Sequence, residues 1–231
     1  MTPLPTVRDE SASQDCERNE NIVVLAAPSL WAFKPGEVSM RGCAKTLQDK
    51  DLKRLLRNVE TGRHHLRDQV IILLSFKAGL RACEIAGLDW SMVVTAGGAV
   101  GDSIAIGAGI AKNGRARIVP QHPQLRSALV ALNDQSGKAR AGPVIRSQRG
   151  GNFSPGSVVN WFTTLYTMAG LQGCSSHSGR RTFITRSARM VAKVGGCLRD
   201  VQELAGHSAL TTTERYIEGD RDAQRKLVRL L

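Results

Sequence analysis

Apolar residues at Leu52, Leu55, Leu56 and Val59 repeat at the three-and-four spacing of one helix face. Thr46, with Asp49 three residues on, reads as the N-cap of this first helix. Residues 67–78 (RDQVIILLSFKA) are apolar nearly all round, which predicts a central, buried helix that Gly79 ends. Residues 81–86 form a further short helix. Between Met92 and Pro120 the pattern changes: Gly97-Gly98 and Gly101-Asp102 mark turns, and SIAI and RARIV are short β-type runs. Asn113-Gly114 between those runs predicts a hairpin turn. Helical spacing returns over 123–133, 155–169, 177–194, 198–205 and 210–218, and a basic amphipathic stretch, DAQRKLVRLL, ends the sequence. The fold class is therefore mainly α with one small antiparallel β-sheet (α+β).

The segment before this pattern is different. Within residues 1–20 two arginines face five acids, a net of −3, and the apolar run 21–33 is broken by Pro28. Residues 1–43 read as a flexible N-terminal segment and 44–231 as the folded domain. The whole chain of 231 residues has 42% hydrophobic and 23% charged residues, which suits a globular domain. Its formal net charge is +12, so the part beyond residue 20 carries +15. Such an excess points to a polyanionic partner, first of all nucleic acid. Aromatic residues make up 4%, too few for a platform that stacks single-stranded bases.

Other classes fall away. No apolar run approaches the ~20 residues of a membrane span. The N-terminus lacks a basic segment followed by an apolar one, so no secretory signal is expected and the location is expected to be cytoplasmic. The five cysteines are scattered and never form C-x-x-C, which fits reduced thiols; no metal site and no cofactor is expected. Residues 112–149 hold eight basic residues against Asp134 alone, and 177–199 hold six against none. Helix surfaces normally mix signs, so these two runs read as nucleic-acid contacts.

Four local patterns bear on chemistry. Arg81 and Glu84 lie one helical turn apart in GLRACE. Lys112 precedes the Asn113-Gly114 turn. His177 and Arg180 lie one turn apart in SHSGRRTF. His207 precedes Tyr216 by nine residues in LAGHSALTTTERY. Singly, each has an ordinary explanation: a helix salt bridge, a turn lysine, a histidine at a helix N-terminus with a satisfied ring, a core tyrosine. Together, in this order, G-L-R-x-x-E, H-x-x-R-R-T-F and L-x-G-H-x-x-x-x-T-x-x-Y resemble the catalytic domain of the tyrosine recombinases, the phage integrase family, over residues 44–220.

The resemblance implies a mainly helical catalytic domain with a small sheet, and a site-specific recombinase that cleaves and rejoins DNA through a covalent 3′-phosphotyrosine. It implies that Arg81, Lys112, His177, Arg180 and His207 assemble the site, that Tyr216 is the nucleophile, and that Glu84 supports them from behind. Attack on a phosphodiester builds charge on its non-bridging oxygens, which suits the planar guanidinium forks of Arg81 and Arg180. A departing 5′-oxygen needs a proton, the role expected of Lys112. Arg115, Arg117, Arg181 and Arg186 are expected to contact DNA. The implied partners are double-stranded DNA and further protomers, as a homo-tetramer on DNA or with a partner recombinase, and no membrane. Two departures stand out. Family members usually carry a helical DNA-binding domain ahead of the catalytic one, expected to be missing or truncated here. Gly179 stands where leucine is more usual, and only a small packing change is expected from it. The alternatives are a non-catalytic helix-turn-helix regulator built on 198–217, or a degenerate recombinase fragment; a type IB topoisomerase shares the chemistry, and an RNA-binding protein explains none of the motifs.

Overall fold

A computed structural model describes residues 44–112, 114–148, 150–217, 224, 225, 228 and 229. The expected N-terminal segment 1–43 lies outside the described residues, as do most of the residues of the basic stretch at the end.

Helix α1 (Asp49–Glu60) buries Leu52, Leu55 and Val59, as its spacing predicts. Its start differs from the expectation at Thr46. The N-cap is Gln48, whose backbone N–H donates to the Asp51 carboxylate at 2.8 Å. The reason lies across the domain: the Leu47 N–H donates to Thr182 Oγ1 at 2.9 Å and the Leu47 side chain is buried. Leu47 is thus pinned to a later helix, and α1 begins two residues beyond it. Helix α2 (His65–Lys77) is the centre of the core, with Val70 to Leu74 fully buried against α1, α4 (Pro123–Gln135) and α6 (Ser178–Met190). Gly79 follows in a left-handed conformation (φ +64°), and a Cβ there would lie 2.4 Å from the Phe183 ring. Glycine lets the chain reverse under that ring. Helix α3 (Ala82–Ala86) packs against α5 (Pro155–Met168).

Strands β1 (Ser103–Ile106) and β2 (Arg117–Pro120) pair antiparallel, with Ser103 opposite Pro120 and Ile106 opposite Arg117. Ile104, Ile106 and Val119 face the core while Ile118 is 68% exposed, so one face is buried. The register corrects the expected tight turn. Pairing stops at Ile106 and Arg117, so the two strands are separated by residues 107–116, of which Asn113 of the expected turn lies outside the described residues. Gly114 does take a left-handed φ of +63°, but within this loop.

The sequence spacing predicts a helix over 177–194 for α6. It ends at Met190 and tightens into a 3₁₀ turn, Val191–Val194, closed by left-handed Gly195. Helices α7 (Leu198–Ala205) and α8 (Leu210–Glu214) follow. Helix α8 stops at Glu214, short of the expected 218, because the chain turns there through Tyr216 N–H to Thr213 O and Ile217 N–H to Glu214 O. Ile184, Val201 and Ala205 form a second, smaller core against which Phe183, Leu198 and Tyr216 pack. No helix among the described residues is long and apolar enough to cross a membrane.

Candidate active site

The first member of the site is set by a helix start. Arg81 is the N-cap of α3, in extended backbone, and its N–H donates to Glu84 Oε2 at 2.9 Å. Its Nη1 donates to Glu84 Oε1 at 3.1 Å. Glu84 is fully buried. It also accepts two parallel hydrogen bonds from Arg117 on β2, each 2.8 Å. Burial pushes the Glu84 carboxyl up, but the Arg117 hydrogen bonds, the Arg81 N–H and the two guanidinium charges outweigh it and hold it below its ordinary value. The Arg81–Glu84 pair is thus one side of a buried three-residue cluster.

Arg180 lies in the first half of α6 and is buried. Its guanidinium donates to the Gly79 carbonyl, to the Ala205 carbonyl at 2.6 Å and to His207 Nε2 at 3.0 Å. Burial and the nearby Arg81 charge lower it to about 10, so it stays charged at neutral pH. Because arginine only donates, His207 Nε2 accepts, and the proton of the neutral ring sits on Nδ1, facing Thr213 Oγ1 at 2.9 Å. Burial first, then Arg180, Arg81 and Arg117, lower His207 to about 4. Left-handed Gly206 (φ +62°) ends α7 and turns the chain so that His207 reaches Arg180.

Tyr216 meets the same histidine. Its ring stacks on His207 with centroids 5.5 Å apart and 22° between planes. The Arg181 guanidinium also lies over the Tyr216 ring, 5.5 Å from the centroid. Thr185 Oγ1 donates to the Tyr216 carbonyl at 3.1 Å and ties the turn to α6. Tyr166, the only other tyrosine, is buried on α5 and stacked on Phe162. Burial drives its hydroxyl far above the ordinary value.

His177 is the N-cap of α6 and remains exposed. Desolvation and the charges of Arg180, Lys112 and Arg81 lower its pKa. Lys112, exposed on the β1–β2 connection, therefore stands close enough to bear on the imidazole at the head of α6.

The four expected DNA contacts divide. Arg115 is exposed on the β1–β2 connection. Arg181 lies over Tyr216. Arg117 is committed to Glu84 and, through Nε, to the Leu204 carbonyl at 3.1 Å. Arg186 pairs with Asp49 and donates to the Leu47 carbonyl at 3.1 Å. For these two the sequence showed only charge; their partners come from distant segments. Thr213 and the Gly79 and Ala205 carbonyls escaped sequence reasoning, although the T-x-x-Y spacing held the signal for Thr213. Among the described residues no group of three or more His, Cys, Asp or Glu is placed to hold a metal ion.

Residues 45–222 match the model of the phage integrase family. The chain is 29% identical over 202 residues to the tyrosine recombinase XerC of Xylella fastidiosa strain 9a5c, covering 82% of this chain and 65% of that protein. It is 32% identical over 158 residues to XerC of Rhodospirillum centenum, covering 67% of this chain and 43% of that protein. It therefore spans less than two thirds of the length of these relatives. Among solved structures, XerA recombinase aligns with a TM-score of 0.62 at 23% identity, over 82% of this chain and 66% of that one. The Tn1549 transposon integrase in complex with circular intermediate DNA aligns with a TM-score of 0.63 at 18% identity, over 80% and 67%. The family match covers every residue of the cluster around Arg81, Arg180, His207 and Tyr216, and the fold is that of the solved recombinases: the chain belongs to the phage integrase family.

Proposed function

We propose that this chain is a site-specific DNA recombinase that cleaves and rejoins double-stranded DNA through a covalent 3′-phosphotyrosine on Tyr216. The observation that carries the reading is the stacking of Tyr216 on a neutral histidine that is itself hydrogen-bonded to a buried arginine. Arg81 and Arg180 bind the non-bridging phosphate oxygens, and their charge counts most as the transition state gathers negative charge. A phosphate oxygen that takes over the Arg180 Nη2 hydrogen frees His207 Nε2, which then accepts the Tyr216 proton. The phenolate oxygen bonds to phosphorus, the bond to the 5′-oxygen breaks, and Lys112 supplies the proton that oxygen needs. His177 donates to the same phosphate. The ester retains the energy of the broken bond, so the reverse steps reseal a strand without an outside energy source.

Residues 44–231 act as the catalytic domain on this reading. Arg115 and Arg181 contact DNA, in the cytoplasm, where a chromosome or mobile element is the substrate. Strand exchange requires several protomers, as a homo-tetramer or with a partner recombinase. A helix-turn-helix regulator fits less well, since α8 has only five residues and its Thr213 is buried against His207. The test is incubation with a library of nicked duplex fragments. A denaturation-resistant protein–DNA band supports the reading. Its absence on every fragment, with a partner recombinase of the family also supplied, refutes it.

A further inference from the structure

We propose that Arg117 is a positioning residue for the DNA-cleaving site: it saturates Glu84 so that Arg81 stays available to phosphate, and it fixes the end of α7 beside Arg180. This rests on the strand-cleavage reading above.

The side chain of Arg117 is only 7% exposed and that of Glu84 is fully buried. A buried carboxylate must be answered by charge and hydrogen bonds. Arg117 answers it with a bidentate pair of 2.8 Å bonds, the geometry in which a guanidinium matches a carboxylate best. Arg81 gives Glu84 one longer side-chain bond of 3.1 Å, and its side chain keeps 15% exposure. Most of the Arg81 donors therefore remain unspent on Glu84. Without Arg117, Glu84 would draw the Arg81 fork onto itself and neutralise it.

The second task concerns α7. Arg117 Nε donates to the Leu204 carbonyl, and the next carbonyl, Ala205, receives Arg180. Two arginines from separate elements thus hold adjacent carbonyls at one helix C-terminus, where the helix dipole favours cations. Gly206 makes room for this. A Cβ there would lie 3.0 Å from Arg117 Nη1, and its φ of +62° suits glycine. The residue that follows is His207, so the Arg117 contact sits next to the histidine that Tyr216 stacks on.

A DNA contact and a positioning residue differ in what their loss does. We would measure duplex affinity against salt, and the rate of covalent attachment at saturating DNA, for Arg117→Lys and Arg117→Gln. Lysine keeps the charge beside Glu84 but lacks the bidentate fork. The expected result for Arg117→Lys is affinity within twofold of wild type, an unchanged salt slope and an attachment rate at least tenfold lower. A salt slope reduced by about one, with the rate at saturation intact, would make Arg117 a phosphate contact and overturn the proposal. A third measurement needs no DNA: the titration of His207 by imidazole NMR. Arg180 from α6, Arg81 at the start of α3 and Arg117 from β2 face this ring with positive charge, alongside Thr213 and Tyr216. Arg117→Gln should shift the His207 titration to higher pH, and an unmoved titration counts against the proposal. If wild type never attaches to DNA, the strand-cleavage reading fails by itself and the titration decides the positioning role. If Arg117→Lys does not fold, Arg117 is a determinant of the fold instead, and the proposal is overturned.

Discussion

The rings of Tyr216 and His207 lie nearly parallel, 5.5 Å between centroids, while the edge of the same imidazole is held through Nδ1 by Thr213 Oγ1 at 2.9 Å. Tyr216 is partly exposed at a turn, whereas Tyr166 is buried on α5. Tyr216→Phe removes one oxygen and almost no volume, so stacking, fold and DNA affinity should persist. Covalent capture of a nicked strand should vanish in Tyr216→Phe and survive in Tyr166→Phe, read as a denaturation-resistant band. A band that persists without the Tyr216 hydroxyl refutes the nucleophile assignment.

Stability should fall on mild acidification. His207 has an unfolded value of 6.5 and a folded one of about 4. Within that window the unfolded chain binds a proton that the folded chain does not, so stability is complete above pH 6.5 and is lost as pH falls towards 4. The limit for this one group is about 3 kcal/mol. His177, also lowered, acts in the same direction. Glu84 and Asp49 are held below their ordinary values and lose their contribution only at lower pH, so the upper part of the window belongs to the histidines. Urea unfolding at pH 5 and pH 7 checks this. The difference should shrink in His207→Gln, and equal stability at the two pH values would refute it.

Helix faces were legible because burial is local in sequence: Leu52, Leu55 and Val59 lie on one side of α1 and all are buried. The motif residues were legible as types. Their wiring was not. Arg180 reaches the Gly79 carbonyl across 101 residues, and Arg117 reaches Glu84 across 33. A backbone carbonyl leaves no mark in the sequence. A run of positive charge does not tell an arginine already paired with a carboxylate, buried as for Arg117 or at the surface as for Arg186, from one that is open to a phosphate. The start of α1 was misplaced for the same reason, since Thr182 holds Leu47 from 135 residues away.

Gly179 should matter more than its place in a helix suggests. Glycine costs a helix interior about 0.5–1 kcal/mol relative to alanine, and less at the second position of α6 where Gly179 stands, so propensity alone favours Gly179→Ala only slightly. Packing opposes it. A Cβ at Gly179 would lie 2.3 Å from Ser75 Oγ and 2.8 Å from two Phe76 ring carbons, all on the buried α2. Overpacking costs about 1–3 kcal/mol, so alanine should destabilise and leucine more so. Ser75 Oγ has no hydrogen-bond partner among the described residues, so Ser75→Ala removes the nearest clash cheaply. Thermal unfolding should show Gly179→Ala/Ser75→Ala to be more stable than Gly179→Ala. Leucine accommodated with no loss of melting temperature would refute the close helix contact.

Binding to duplex DNA should weaken steeply with salt. The chain carries +12 overall, and each phosphate that a cation neutralises releases counterion. With Arg117 and Arg186 held by Glu84 and Asp49, the salt slope should respond to Arg115→Gln and much less to Arg186→Gln. Titrations between low and physiological salt measure both. A salt-independent affinity, or equal slope changes from the two variants, would contradict the division of the arginines.

Lys112 offers the sharpest separation of chemistry from binding. It is exposed on the long β1–β2 connection, and its charge reaches the imidazole of His177 at the head of α6, as do those of Arg180 and Arg81. A lysine so placed has two possible tasks at a bound phosphate: steadying its charge, or protonating the departing 5′-oxygen. The two predict different responses to the leaving group. An alkoxide is a poor leaving group and a thiolate a good one, so a strand with sulfur in place of the 5′-bridging oxygen departs without a proton. Lys112→Ala should cut attachment to ordinary nicked DNA by about 10²–10⁴, the usual worth of a general acid, and should recover most of that rate on the sulfur substrate. The same sulfur strand should give Arg180→Ala no such recovery, because the buried guanidinium answers the charge on the phosphate and not the proton on the leaving oxygen. Equal defects of Lys112→Ala on oxygen and sulfur substrates would assign the lysine to the phosphate and leave the proton to another donor.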